Sequence, residues 1–331
     1  MREQGYTDFS LKIHGKGKGP SDAIFEITNA CPMSCPHCHL GHVRRAEELP
    51  TADAVAALDA LKRGGAQWLA FSGGDPLARA DFFTLYGHAA KQGFILTVFS
   101  SGALVGKREA REFGRIKPFN FEISYQAHDE SLSRLTYGVP GALARVEKGI
   151  ERLLKEGVNL TLKATLTRAN FQYRNHIAER SRRLFGLETS FSTRLYSPEG
   201  KSGPCGLRVK PGEDAAFSKE PGISHSAGRE KVFDCAATGG KTLTMDCEGN
   251  LHPCPLIRNS RISILSSGWQ EKLGKALVEL RRARYRKGDR CRHCADGKYC
   301  ELCPGIAWLE TGEIRARVQH FCEAAELRRG K

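Results

Sequence analysis

Cys31-Pro-Met-Ser-Cys35-Pro-His-Cys38 sets three thiols into eight residues with CX3CX2C spacing. Three thiolates from one short loop can hold three irons of a [4Fe–4S] cluster and leave the fourth iron open to a ligand. Zinc wants four protein ligands, and His37 or His39 would complete such a set, so zinc stays open on spacing alone. A second motif, Ser72-Gly73-Gly74-Asp75-Pro76-Leu77, follows at the end of the apolar run QWLAFS. Its two glycines let backbone approach a ligand closely, and its proline pins the turn. The remaining cysteines are 205, 235, 247, 254, 291, 294, 300, 303 and 322, with none from His39 to Pro204. Such clustering is unlike isolated cysteines scattered through a core as small hydrophobes.

These motifs need elements to position them. IFEIT precedes the cysteine loop and reads as a strand; Thr51 can cap a helix that stops at Gly64, and QWLAF is the next strand. A helix near 81–91, the strand ILTVF, a helix around 107–113 and the strand FNFEIS continue the alternation. Leu143, Val146, Ile150 and Leu153 recur at helical spacing, and VNLTLKAT follows Gly157. Strand–helix alternation predicts an α/β fold with a parallel sheet, open or closed. Parallel strands usually read as continuous apolar runs. Here Val158, Leu160, Leu162 and Ala164 alternate with Asn159, Thr161, Lys163 and Thr165, and Phe121, Ile123 and Tyr125 with Asn120, Glu122 and Ser124. Either these are edge strands facing solvent, or the sheet curves around a polar interior.

The chain of 331 residues has 40% hydrophobic and 27% charged residues, a balance that suits a folded protein and not a disordered one. No run approaches the roughly 20 apolar residues that span a bilayer, and the first twenty residues hold no apolar signal segment. These features predict a cytoplasmic protein, where twelve cysteines point to metal or redox chemistry instead of disulfides. The formal net charge of +14 admits nucleic acid, acidic peptides or an anionic cofactor as partners.

The cysteine loop and the GGDP turn, in this order at the ends of successive strands, resemble the radical S-adenosylmethionine (SAM) enzymes, whose signature is a CX3CX2C loop followed by a GGEP-like turn. The resemblance covers roughly 22–196 and implies a partial (β/α)6 barrel. It implies that Cys31, Cys35 and Cys38 hold a [4Fe–4S] cluster whose open iron is chelated by the SAM amine and carboxylate. The backbone of Gly73, Gly74 and Asp75 would receive the amine, His37 would pack near the adenine, Ser124 would bond the ribose, and Lys163 would meet the carboxylate. One-electron reduction would then cleave SAM to methionine and a 5′-deoxyadenosyl radical, with a flavodoxin or ferredoxin as reductant.

Cys235, Gly249 and Cys254, then Cys291, Cys294, Cys300 and Cys303 as CX2CX5CX2C, then Cys322, look like the SPASM extension of peptide- and protein-modifying members of that family. The usual ending CX3C is CX2C here. The resemblance implies one auxiliary [4Fe–4S] cluster on Cys291, Cys294, Cys300 and Cys322, and another on Cys235, Cys254 and Cys303, with Cys247 the preferred fourth ligand and Cys205 or an open iron the alternatives. A pair of zinc knuckles is the competing reading of this quarter. The expected organisation is an extension at 1–21, the barrel at 22–196, a Gly-, Pro- and Ser-rich linker at 197–230 and the auxiliary domain at 231–331.

Residues 257–331 hold 17 Lys/Arg against 9 Asp/Glu, densest at 281–287. Trp269, Leu273, Leu277 and Leu280 give the preceding helix an apolar stripe, and its basic face is either simply solvated or docks an acidic leader peptide or carrier. Three oxidised clusters on eleven thiolates would lower the net charge to about +9, which disfavours nucleic acid as the partner. The sequence therefore predicts an enzyme that oxidatively modifies a peptide or protein side chain, by thioether formation, a carbon–carbon crosslink or a similar step. About twenty residues precede the first strand, so a separate recognition protein is expected. Sulfatase maturation fits less well, because Ser-Tyr-Gln-Ala-His128-Asp129 lacks that family's acidic base unless Asp129 substitutes. Tetrapyrrole side-chain tailoring is the enzymatic alternative; a zinc-dependent nucleic-acid-binding protein is the alternative of another class.

Overall fold

A computed structural model describes residues 20–40, 47–196, 203–218, 232, 235 and 240–330. Six parallel strands, β1 (Asp22–Glu26), β2 (Trp68–Ser72), β3 (Ile95–Ser100), β4 (Asn120–Ser124), β5 (Leu160–Thr165) and β6 (Thr189–Ser192), pair in sequence order. They are joined by α1 (Thr51–Arg63), α2 (Phe82–Lys91), α3 (Lys107–Arg115), α4 (Glu130–Tyr137), α5 (Ala142–Lys155) and α6 (Arg174–Phe185). This is the parallel sheet that the alternation predicts, in the partial barrel that the resemblance implies.

Alternation along the strands decides what each face does. Phe121, Ile123, Leu160, Leu162 and Ala164 are buried, whereas Asn120, Glu122, Thr161 and Thr165 are half-buried and Ser124 and Lys163 exposed. The polar residues thus share one accessible face of the sheet. The apolar face packs on aromatic rings from the helices. Phe113 of α3 meets Phe121 edge-on at 4.9 Å, and Phe82 of α2 meets Phe71 at 5.6 Å. Offset and edge-on rings of this kind add to simple area burial in holding helices to sheet.

Three differences from the sequence reading have local causes. Thr51 is the first residue of α1, with Pro50 at the cap position and no side-chain cap; its hydroxyl bonds to Asp81 instead. Helix α4 has no counterpart in the reading above. It is capped by Asp129, whose carboxylate accepts from the Leu132 N–H at 2.8 Å, and it ends at Gly138. Within the segment read as linker, residues 203–218 are folded: α7 (Pro211–Phe217) packs on the C-terminal helix α10 (Gln319–Arg329). Arg328 of α10 donates to Asp214 at 3.0 Å and to the Ser218 hydroxyl at 2.8 Å. Arg208 is held by Glu310 of α9 (Pro304–Thr311).

The cysteine-rich quarter begins as part of the barrel sheet. β7 (Thr242–Met245) pairs parallel with β1, and β8 (Asn250–His252) and β9 (Ile262–Ser263) extend it antiparallel. Helix α8 (Trp269–Arg282) buries Trp269, Leu273 and Leu277.

Candidate functional site

The cysteine loop leaves the end of β1 and is tied to the neighbouring strand ends. The Gly74 N–H donates to the Thr28 carbonyl at 2.8 Å and the Asp75 N–H to the Ala30 carbonyl at 2.9 Å, so the GGDP turn runs beside the chain entering Cys31. Only glycine fits that approach. Gly73 has φ +129°, and a Cβ there would lie 2.2 Å from the Thr28 oxygen; one on Gly74 would lie 2.4 Å from the Ala30 oxygen. The Gly73 and Gly74 carbonyls accept no backbone bond among the described residues, which suits the reception of an amine. On the other side, the Ser34 N–H donates to the Tyr137 carbonyl of α4 at 2.8 Å.

Asp75 belongs to this turn through its backbone, while its carboxylate points inward. It is fully buried and accepts from the Ser100 hydroxyl at 3.0 Å, the Ser101 hydroxyl at 2.6 Å, the Ser101 N–H at 2.9 Å and the Leu77 N–H at 3.2 Å. Burial pushes its pKa up against these bonds. The side chain therefore fixes the turn to the end of β3.

Cys31, Cys35 and Cys38 act on one another electrostatically. Burial first, then the neighbouring thiols, push Cys35 up to about 12, and Cys31 rises as well. Three mutually repelling soft donors in one loop fit a cationic iron centre, which would relieve both the repulsion and the burial. His37 is half-buried, and burial holds its imidazole neutral, down to about 4. A neutral ring can pack on an adenine. Ser124 and Lys163 are register partners at the ends of β4 and β5. The Lys163 ammonium lies 2.6 Å from Glu122 Oε2, so its charge is already partnered.

The C-terminal cysteines divide into groups. Cys291, Cys300, Cys294 and Cys322 act on one another, and the Arg317 Nε donates to Cys322 Sγ at 3.4 Å. Cys254, Cys303 and Cys235 form another set; burial and then the other two thiols push Cys254 up to about 11. Half-buried Tyr196 packs at this second set, with Arg194 beside it. Cys247 is not brought to either. It is buried in the β7–β8 turn, its carbonyl accepts from the Leu49 N–H at 2.8 Å, and the charges nearest its thiol are Asp246, Glu48 and Glu248. Neither thiol set is among the groups that act on Cys247, so Cys205 and an open iron stand beside it as candidates for the fourth ligand. Cys205 is half-buried in the short turn before α7. No three His, Cys, Asp or Glu side chains among the described residues converge on a single-ion site.

Sequence reasoning missed three partners: Arg258 on Glu26, Arg317 on Cys322, and Arg194 with Tyr196 beside Cys303. None sits in a motif, and Arg258 reaches Glu26 across 232 residues. No local signal marks a pair that far apart.

Comparison with known proteins agrees with this geometry. Residues 25–179 match the Radical SAM superfamily. An AdoMet-dependent heme synthase of Oleidesulfovibrio alaskensis is 29% identical over 57% of this chain and 49% of its own length. A PqqA peptide cyclase of Gluconobacter oxydans is 30% identical over 46% of this chain and 43% of its own. The chain thus spans about half the length of these two relatives. Streptococcus suis SuiB bound to S-adenosylmethionine superposes with a TM-score of 0.70 at 16% identity, covering 95% of this chain and 80% of that one. anSMEcpe with bound AdoMet and the Kp18Cys peptide gives 0.66 at 15%, covering 94% and 96%. These likenesses are of fold, and they extend through the cysteine-rich quarter. The family implies a [4Fe–4S] cluster and SAM, which the cysteine loop and glycine turn fit. The chain carries a Radical SAM domain over residues 25–179, and its fold continues into a cysteine-rich C-terminal part.

Proposed function

We propose that this protein reductively cleaves SAM and oxidatively modifies a side chain of a peptide or protein, with two auxiliary clusters in its C-terminal quarter. The observation that carries the reading is the cysteine loop held beside the glycine turn, with the Gly74 N–H on the Thr28 carbonyl at 2.8 Å and the Asp75 N–H on the Ala30 carbonyl at 2.9 Å. The seven C-terminal cysteines, whose thiols act on one another as a set of four and a set of three, support the auxiliary clusters. Relatives and fold neighbours that act on or bind peptides, the PqqA peptide cyclase and SuiB bound to its precursor peptide SuiA, support the substrate class.

Cluster and SAM together would supply one-electron cleavage of the sulfonium bond and a radical able to take an unactivated hydrogen. The chain's own residues do the positioning. Cys31, Cys35 and Cys38 would hold the cluster, the Gly73 and Gly74 carbonyls would receive the SAM amine, and His37 would cover the adenine. Ser124 would bond the ribose, and Lys163 would turn from Glu122 to the SAM carboxylate. The set of three, Cys235, Cys254 and Cys303, would leave one iron to substrate or to a non-cysteine ligand. A separate recognition protein and a flavodoxin or ferredoxin complete the proposed system, which we place in the cytoplasm. Among the described residues no helix is long and apolar enough to cross a membrane.

Anaerobic reconstitution tests the reading. About 12 irons per chain and release of 5′-deoxyadenosine with SAM and reductant are expected. Stoichiometric zinc with no SAM cleavage sinks it. A second reading, tetrapyrrole tailoring, draws on the match to a heme synthase. Mass spectrometry of candidate peptides and tetrapyrroles incubated with the loaded enzyme separates the two.

A further inference from the structure

Residues 284–298 contain Cys291 and Cys294 of the four-thiol set and carry six cations, Arg284, Arg286, Lys287, Arg290, Arg292 and Lys298, every one of them exposed. The two acidic residues of this stretch are half-buried and engaged: Asp289 accepts from the Arg286 N–H at 2.5 Å, and Asp296 pairs with Arg329 at 2.7 Å. Six cations against two carboxylates leave the stretch a net charge of +4. Cys294 is itself exposed within this face, and exposed Arg317 brings its guanidinium to Cys322 Sγ at 3.4 Å. The stretch exposes no large hydrophobic side chain; Tyr285 within it and Tyr299 just after it, whose ring centre lies 4.9 Å from the Lys298 ammonium, are both half-buried. Sequence-reading peptide sites need buried apolar or aromatic anchors. Brief electron-transfer encounters use small polar interfaces guided by charge.

We propose that the cationic face of residues 284–298, with Arg317, is the docking surface for a small acidic electron-carrier protein, which passes single electrons to a cluster held by Cys291, Cys294, Cys300 and Cys322. The inference rests on the auxiliary-cluster reading above. In the step, the carrier's reduced flavin or iron–sulfur centre loses one electron and an oxidised [4Fe–4S]2+ cluster gains it to become [4Fe–4S]1+; no bond, atom or proton is transferred. The exposed Cys294 gives a short path from surface to cluster, and the charges supply orientation before contact.

The test uses the reconstituted full chain and reduced flavodoxin as the acidic probe, mixed in an anaerobic stopped-flow instrument, with cluster reduction followed by absorbance and freeze-quench EPR. The bimolecular rate is expected to fall at least about tenfold between about 0.05 and 0.5 M salt, as screening removes the steering. The triple variant Arg284→Glu, Arg286→Glu, Lys287→Glu is expected to lose a similar factor at low salt. Its iron content and its reduction by dithionite should be unchanged. Rates that neither salt nor charge reversal alters overturn the proposal. So does a variant that binds an acidic substrate peptide less tightly while flavodoxin reduces it normally, which would assign the face to peptide. If the variant loses iron, the salt dependence of the unaltered enzyme decides. If iron analysis finds only the barrel cluster, the auxiliary-cluster reading fails separately. Flavodoxin binding by calorimetry then judges the face: a Kd insensitive to salt and to the three substitutions overturns it.

Discussion

Arg258 grips the Glu26 carboxylate at two points, Nη1 to Oε2 at 2.8 Å and Nη2 to Oε1 at 2.5 Å, from 232 residues away. Glu26 ends β1 five residues before Cys31, and Arg258 follows Cys254 by four. The Arg258 Nε also donates to the Pro255 carbonyl at 2.6 Å. The pair thus fixes the loop of one cysteine set against the strand that delivers the other. With Glu26 almost fully buried, removing Arg258 leaves its charge with only the exposed His39 beside it, at 3.9 Å. Arg258→Met is expected to cost about 3 kcal/mol in urea unfolding. The double variant with Glu26→Gln should recover part of that loss, and a double-mutant cycle measures the coupling.

The same carboxylate makes stability depend on acid. Burial alone would push Glu26 up, but hydrogen bonds from His39 and Arg258 outweigh it and hold the carboxyl at about 2, against 4.5 as its ordinary value. A lowered folded pKa stabilises fully above the unfolded pKa. Here about 3 kcal/mol is present above pH 4.5 and is lost as pH falls from 4.5 toward 2. Unfolding free energies across that window should show this slope, and Glu26→Gln should flatten it. Equal slopes in both proteins would refute the assignment.

Gly73→Ala should disable the SAM turn. Its Cβ meets the Thr28 oxygen at 2.2 Å in a backbone conformation of φ +129°, so the turn must move away from the cysteine loop. SAM cleavage is expected to drop by more than about tenfold, the factor that only about 1.4 kcal/mol of lost positioning produces. Gly87→Ala, where a Cβ meets nothing within 4 Å, is the matched control.

Asp75→Ala is expected to destabilise the fold by about 3 kcal/mol, because it strands the buried Ser100 hydroxyl and its neighbours at Ser101 and Leu77. Asp75→Asn keeps an acceptor oxygen and should lose less. Thermal unfolding of the two variants checks the order; an equal loss would show that the negative charge, not the number of acceptors, holds the turn.

Serine scanning of the cysteines should follow the spatial sets. Cys35→Ser is expected to abolish SAM cleavage. Cys294→Ser and Cys254→Ser should each remove about four irons per chain while 5′-deoxyadenosine release persists. Cys247→Ser should leave the iron content unchanged, because its thiol is turned toward Glu48 and Asp246. Iron loss on that substitution would restore Cys247 as a ligand.

What the sequence determined by itself is whatever depends on neighbours along the chain. The CX3CX2C spacing, the glycine pair, and the strict alternation at 120–125 and 158–165 are local patterns; they sufficed for a parallel sheet with one polar face and for the two motifs whose resemblance implies the partial barrel. Cysteine identity and spacing likewise set the C-terminal cysteines apart from the body. Local patterns could not show which way a side chain turns when both directions satisfy the backbone. Asp75 faces the Ser100–Ser101 turn while its backbone serves the GGDP turn, and Cys247 takes the Leu49 N–H on its carbonyl with Asp246 and Glu48 acting on its thiol. Nor could they show pairs whose free energy comes from removing water between distant segments. Glu26 with Arg258 and Arg328 with Asp214 exist only once the sheet, α7 and α10 are assembled. Tertiary packing made those choices because a buried charge must find its partner wherever the fold places one.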